Sequence, residues 1–210
     1  MSICQLCYTK ANFFYQNKKG CFSICPECKG IFLDQEFLPD EESEIARYKK
    51  HNNDLNNSGY QMFVSPIVNA VLHDFTPAHQ GLDFGAGPGP VISKMLTEKE
   101  YDIKQYDPFF NNDQQLLKKT YDYIVCCEVI EHFHHPRKEF ELLSSLLNEN
   151  GKLYCMTSIY NPTIDFDSWY YKNDLTHVFF YQEETLHFIQ KILHLFSKLI
   201  IKENLIIFSK

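Results

Sequence analysis

The stretch 82-LDFGAGPGP-90 decides the fold. An apolar run ends at Phe84, and glycines follow at alternate positions, Gly85, Gly87 and Gly89, with Pro88 and Pro90 leading into a helix-forming segment. Glycine tolerates positive φ, and its missing side chain lets a ligand lie against bare backbone. A glycine-rich turn from strand to helix is the start of a strand–helix–strand unit that holds a ligand at the carboxyl end of its first strand. Around it the chain alternates. Strand-like runs cover 81–84, 101–107, 121–129, 151–159, 196–203 and 205–209, and helical runs cover 90–98, 136–149 and 182–195. Such alternation predicts an α/β domain, a Rossmann-like doubly wound, mostly parallel sheet with helices on both faces. The last two runs meet at Glu203-Asn204, too short for a crossover, and so form an antiparallel hairpin.

Upstream, Asp40 is placed to cap a helix running to about Lys50, 51–59 is a polar loop, and a helix spans 60–75 with Pro66 expected to kink or split it. The division expected is 1–38, 39–79 and 80–210.

The first 28 residues hold C4-Q-L-C7, seventeen residues, then C25-P-E-C28. Two Cys-x-x-Cys knuckles at this separation suit a four-thiolate zinc site, since each knuckle aims two sulfurs at one ion. The intervening 13–25 reads as a hairpin. So short a segment buries too little surface to fold unaided, and a structural Zn2+ on Cys4, Cys7, Cys25 and Cys28 would supply the missing stability. The same spacing also serves a redox pair. Cys21 is a spare, and Cys126, Cys127 and Cys155 lie in apolar runs as small core residues.

The chain has 210 residues, a net charge of −7 and 44% hydrophobic residues. The acidic balance disfavours DNA as partner and makes RNA a weaker candidate than a small molecule or a protein side chain. No run is long and apolar enough for a bilayer, and no export signal opens the chain, so a cytoplasmic, membrane-free setting is expected.

Asp83, two positions before the first glycine, separates two readings of the loop. A dinucleotide site wants glycine or alanine where Pro90 stands, and a carboxylate repels pyrophosphate; a cationic ligand fits better. The pattern D83-x-G85-x-G87-x-G89 resembles the first motif of class I S-adenosylmethionine-dependent methyltransferases of the small bacterial type. The block 121-YDYIVCCEVIEHFHHPRKEFELLSSLLNENGKLYCMT-157 is similar to the strand, Glu-His, helix and returning strand of that family. The block 169-WYYKNDLTHVFFYQEETLHFI-189 resembles its ubiquinone-type branch, and 47-RYKKHNNDLNNSGYQMF-63 resembles bacterial members that carry the same N-terminal ribbon.

The resemblance implies S-adenosyl-L-methionine as cofactor. It assigns Asp83, Gly85, Ala86, Gly87 and Gly89 to the methionine part, Asp107 to the ribose, and His51 and Tyr60 to a lid. Glu128 ends the fourth strand and faces the same cleft. The run Glu131-His132-Phe133-His134-His135 reads either as a metal or acid–base cluster or as a loop or helix start that merely carries polar residues, and no accompanying cysteine or aspartate points to a second metal site. His132 and His177 are the candidate catalytic residues; His134, His135 and Arg47 rank below them, and His73, His79, His187 and His194 read as ordinary surface or half-buried residues. Only thirteen residues separate Asp107 from Tyr121. That leaves no room for a crossover helix and strand, so the family's third strand is expected to be missing and no residue inherits the adenine contact. The aromatic clusters 168–171 and 178–181 are candidates for a substrate floor or for plain core. The function implied is methyl transfer to an N or O nucleophile. The alternative is a non-catalytic cofactor-binding module whose ribbon contacts protein or RNA.

Overall fold

In the computed structural model residues 2–50, 54–191 and 195–210 are described; His51 and His194 lie outside them. Near the N-terminus, β1 (Asn12–Asn17) and β2 (Gly20–Ile24) form an antiparallel hairpin that β3 (Ile31–Leu33) extends. Next come α1 (Glu41–Tyr48) and α2 (Ser58–Asp74). The Asp40 side chain accepts the Ser43 N–H at 2.9 Å and so caps α1. Pro66 neither splits nor ends α2. A proline deprives the carbonyl four residues back of its partner, here that of Met62, and the Ser65 hydroxyl donates to that oxygen at 2.7 Å instead.

The remainder alternates as β4 (Gln80–Phe84), α3 (Val91–Thr97), β5 (Asp102–Tyr106), β6 (Tyr121–Cys127), α4 (Pro136–Ser145), β7 (Leu147–Met156), β8 (Phe179–Phe180), α5 (Glu183–Lys191), β9 (Lys198–Lys202) and β10 (Leu205–Ser209). The main sheet has the order β5-β4-β6-β7-β10-β9. The pairs among β5, β4, β6 and β7 are parallel; β10 lies antiparallel to both β7 and β9. Between Asp107 and Tyr121 there is only a bridge from Asp107 to Asn111 and a single 3-10 turn, leaving β5 as the sheet edge.

Period-two alternation sorts the core. On β6, Tyr123 and Val125 face α2 and α3, whereas Ile124 and Cys126 face the opposite layer of α4 and α5. On β10, Leu205 and Ile207 divide from Ile206 and Phe208 in the same way.

Two further expectations shift. The helix expected over 136–149 stops at Ser145, because Leu147 already pairs with Tyr121 before the register jumps to Tyr123↔Lys152. Gly151 serves this bulge rather than a helix end: a Cβ there would lie 2.8 Å from the Asn148 carbonyl. Second, the N-terminal sheet is completed from far along the chain. β3 pairs with β8, and Cys4, Leu6, Cys25 and Cys28 belong to the same apolar cluster as Ile124, Phe140 and Phe208. The segment 178–181 is buried core, and Trp169 packs with Phe166 and Phe180; only Tyr170 and Tyr171 of the aromatic clusters reach the cavity described next.

Candidate active site and cysteine cluster

A cavity of about 1180 Å³ opens at the carboxyl ends of β4, β5 and β6, where the chain reverses its winding direction and open α/β sheets bind ligands. Its first wall is the glycine loop. Gly85 takes φ 77°, and a Cβ on it would stand 2.5 Å from the Val129 side chain beyond β6. The amides of Gly85 and Ala86 donate to the Tyr106 carbonyl at 2.8 and 3.1 Å, and that of Gly87 donates to Asp107 Oδ2 at 2.9 Å. Three loop amides are thus engaged by the end of β5 rather than gathered to meet a phosphate.

Asp83 is buried, and its Oδ2 accepts the Ser93 hydroxyl at 2.7 Å, tying β4 to α3. Burial pushes its carboxyl up to about 6, with the Asp107 charge adding to the rise and the Ser93 bond opposing it. Asp107 Oδ1 accepts the amides of Phe109 and Phe110 at 2.8 and 3.0 Å. All of Asp83, Gly85, Ala86, Gly87, Gly89 and Asp107 line the cavity, as do Pro108, Phe109 and Phe110.

The facing wall joins the segment after β6 to residues 171–177. Glu128 holds φ 52°, a strained value for a residue with a side chain. The Tyr171 hydroxyl lies 3.0 Å from Glu128 Oε2, 2.5 Å from Glu131 Oε1 and 3.0 Å from Thr157 Oγ1. Burial lifts Glu128 to about 7 and pushes Glu131 well above the usual carboxylate range, the Glu128 charge adding to the latter. His132 Nδ1 donates to the Thr176 carbonyl at 2.7 Å and His177 Nδ1 to the Tyr171 carbonyl at 2.8 Å, the only sense open to a carbonyl partner. The two rings stand 4.9 Å apart. His134 and His135 reach the cavity rim; the first lies 3.3 Å from Glu44, the second bonds Gln5 at 3.2 Å.

α1 and α2 also line the cavity, through Glu44, Arg47 and Tyr48 and through Tyr60, Phe63 and Val64. Arg47 bonds Asp174 Oδ2 through Nε at 2.9 Å and Nη2 at 2.5 Å, and the Tyr48 ring sits 5.2 Å from His132. Tyr60 lines the cavity against Phe63, their rings 5.9 Å apart. Of the surface histidines, His73 and His187 are exposed and His79 half-buried.

Sequence reasoning did not single out Tyr48 or Asp174; it met Glu131 only beside His132 in a cluster of polar residues, and Tyr171 only within the aromatic run 168–171. Glu131 had a local signal, since it follows Glu128 by three positions and one turn brings both to Tyr171. Asp174 had none, and the aromatic run that contains Tyr171 gave no hint of its carboxylate partners, which the fold supplies.

Among the cysteines, Cys4 Sγ lies 3.5 Å from Cys28 Sγ and Cys7 Sγ 3.3 Å from Cys25 Sγ, and all four sulfurs fall within 4.8 Å of one another. None of the eight cysteines forms a disulfide. Four sulfurs around one zinc at about 2.3 Å would be about 3.8 Å apart, close to this arrangement. Crowding separates their acidities: neighbouring S–H donors favour a thiolate at Cys7, while sharing and burial push Cys28 strongly upward. Cys126 and Cys155 are core residues; Cys127 lines the cavity.

Residues 42–190 match the family described as a methyltransferase domain. No curated protein matches the chain by sequence. Among solved structures, it is similar to 1,6-didemethyltoxoflavin-N1-methyltransferase of Burkholderia thailandensis, solved with 1,6-didemethyltoxoflavin and S-adenosylhomocysteine bound (TM-score 0.59, 12% identity, 95% of this chain and 99% of that one). It is also similar to human N-acetylserotonin methyltransferase in complex with SAM (0.56, 13%, 82% and 60%) and to an O-methyltransferase family protein from Burkholderia thailandensis (0.54, 10%, 79% and 61%). The chain thus spans about three-fifths of the length of the latter two. At these identities the likeness establishes the fold. Among the described residues no helix is long and apolar enough to cross a membrane.

Proposed function

This chain belongs to the methyltransferase domain family, and from that premise we propose that it transfers a methyl group from S-adenosylmethionine to an oxygen or nitrogen nucleophile of a small molecule. The observation that carries the reading is the cavity at the ends of β4, β5 and β6, walled by bare glycine backbone and the buried carboxylate of Asp83. Bound there, the cofactor supplies a methyl group on a positively charged sulfur. Asp83 and the loop from Gly85 to Gly89 hold its cationic methionine end, with the engaged loop amides counting against a pyrophosphate. Asp107 keeps lone pairs beyond those its backbone partners use and so accepts from ribose hydroxyls. Pro108, Phe109 and Phe110, next along the wall, give the base an apolar face. Tyr48 and Tyr60 close the cavity and exclude water, while Glu128, His132, Tyr171 and His177 face the acceptor. Positioning and desolvation carry most of such a transfer, because the sulfonium methyl is already activated.

The ribbon (1–38) takes a structural zinc ion on Cys4, Cys7, Cys25 and Cys28 in this reading, 39–79 forms linker and lid, and 80–210 the catalytic part. Support comes from the sulfur spacing and from cavity-lining residues in α1 and α2.

The test is incubation of the full chain with methyl-labelled S-adenosylmethionine and fractionated cell extract. Label is expected in the small-molecule fraction. Tight cofactor binding with no label transferred to any fraction would instead fit the non-catalytic module.

A further inference from the structure

The proposed transfer leaves Glu131 unexplained. It is fully buried, its Oε1 accepts from Tyr171, and its Oε2 has no hydrogen-bond partner. Its neighbour Glu128 competes for the same tyrosine proton, and one hydroxyl donates to one acceptor at a time. Among the described residues, Arg47 is engaged with Asp174 and Lys172 with the Asp167 carbonyl. Two carboxyl groups at a cavity wall, one buried with an orphaned oxygen, need a positive charge or a donor.

The surroundings have the form of a metal shell. One ligating atom from each of Glu131, His132 and His177 lies within 4.8 Å of the others, and His177 Nε2 stands 4.0 Å from Glu131 Oε1. Around one ion with bonds of about 2.1 Å, ligand atoms are at most about 4.2 Å apart, so a small inward turn of the rings closes the set. Both imidazoles give their Nδ1 proton to a backbone carbonyl, which puts the lone pair on Nε2 and fixes the ring, the outer support that metal-bound histidines show. The supporting carbonyls are themselves held. Thr176 is braced by Asp174 through its amide (3.1 Å) and hydroxyl (2.8 Å), and Asp174 by Arg47.

We propose that Glu131, His132 and His177 form a divalent-cation site in the acceptor wall, with Glu128 at its edge. Two imidazoles and a carboxylate select a first-row transition ion such as Mn2+ over Mg2+ or Ca2+, which prefer all-oxygen shells. Three protein ligands leave positions open toward the cavity. If the proposed function holds, those positions take an oxygen of the acceptor, and His132 and His177 act as ligands rather than bases. Cation binding itself does not depend on that reading.

The experiment is a Mn2+ titration of the full chain, washed with citrate so that the thiolate site is left alone, read by the loss of the free-ion EPR signal. Wild type is expected to bind one Mn2+ per chain, with imidazole nitrogen modulation in its pulsed EPR spectrum. His132→Ala and Glu131→Gln should each weaken binding at least about tenfold, the smallest loss usual for supporting residues of such sites. S-adenosylhomocysteine calorimetry on the variants checks that the cavity is still folded, and the wild-type pulsed spectrum decides the matter if a variant fails to fold. No bound Mn2+ in wild type, binding without nitrogen modulation, or unchanged affinity in folded His132→Ala would overturn the site. A failed cofactor titration with an intact Mn2+ site would instead overturn the proposed function alone.

Discussion

On one wall of the cavity, Asp83, the glycine loop, Ser93 and Asp107 hold one another within a single strand–helix–strand unit. On the other, Glu131 meets Tyr171 and His132 meets Thr176 across 40 and 44 positions of sequence. The first wall needs only β4, α3 and β5. The second stands only if the polypeptide between α4 and α5 returns to the right place, and the ribbon brings it there. The Leu33 amide donates to the Val178 carbonyl at 2.9 Å, and the Val178 amide donates to the Glu131 carbonyl at 2.9 Å. Gln182 Nε2 reaches the Lys29 carbonyl at 2.6 Å from the same segment. A small cysteine-bearing module thus buttresses the wall of Glu131 and Tyr171 and leaves the glycine wall to itself.

The sharpest way to break this asymmetry is at the cysteines. Cys25→Ser or Cys28→Ser is expected to lower stability by at least about 4 kcal/mol, or roughly 8–16 °C of melting temperature for a chain this size. Differential scanning calorimetry measures the loss. Hydrogen exchange should show protection falling at 177–181 before it falls at 82–93.

Asp83 offers the next largest effect, confined to the other wall. Its folded carboxyl is raised from 3.8 to about 6. The neutral form is favoured in the fold, so this contribution is fully present at low pH, declines as pH rises between about 4 and 6, and stays lost above. At about 1.36 kcal/mol per pH unit the cost is about 3 kcal/mol. Denaturation from pH 4 to 7 should therefore show Asp83→Asn gaining on wild type as pH rises. Cofactor affinity should run the other way, growing through pH 6 in wild type as the carboxylate forms and staying flat and weak in Asp83→Asn.

Gly85→Ala should cost about 2 kcal/mol, from the left-handed backbone and the 2.5 Å approach to Val129. Calorimetric affinity for S-adenosylhomocysteine should fall with it. Arg47→Ala sits at the small end. The arginine is 41% exposed and its bond to Asp174 is screened, so about 1 kcal/mol or less is expected. Steady-state kinetics should show it mainly as a higher KM for the acceptor, through looser support of Thr176.

The same contrast explains what could be read from residues alone. The 82–90 loop and the Cys-x-x-Cys knuckles advertise themselves because their chemistry depends on spacing within a few residues. The missing third strand was legible too, from simple length between Asp107 and Tyr121. Continuity of α2 through Pro66 was not, since it rests on one serine hydroxyl. Nor was the shared β3–β8 pairing, because Phe179 and Phe180 look like any apolar pair until the fold sets them beside Ile31 and Phe32. The run 168–171 flagged Tyr171 only as one aromatic among several; its bonds to Glu128 and Glu131 stayed hidden for the same reason, since tertiary structure chooses them.

The most direct measurement is isothermal titration of the full chain with S-adenosylmethionine and with S-adenosylhomocysteine, repeated on Gly85→Ala. One site per chain for both compounds, weakened at least about tenfold by the methyl group at position 85, is the expected result. Absence of heat from either compound, or equal binding by the variant, would contradict a cofactor seat on the glycine wall.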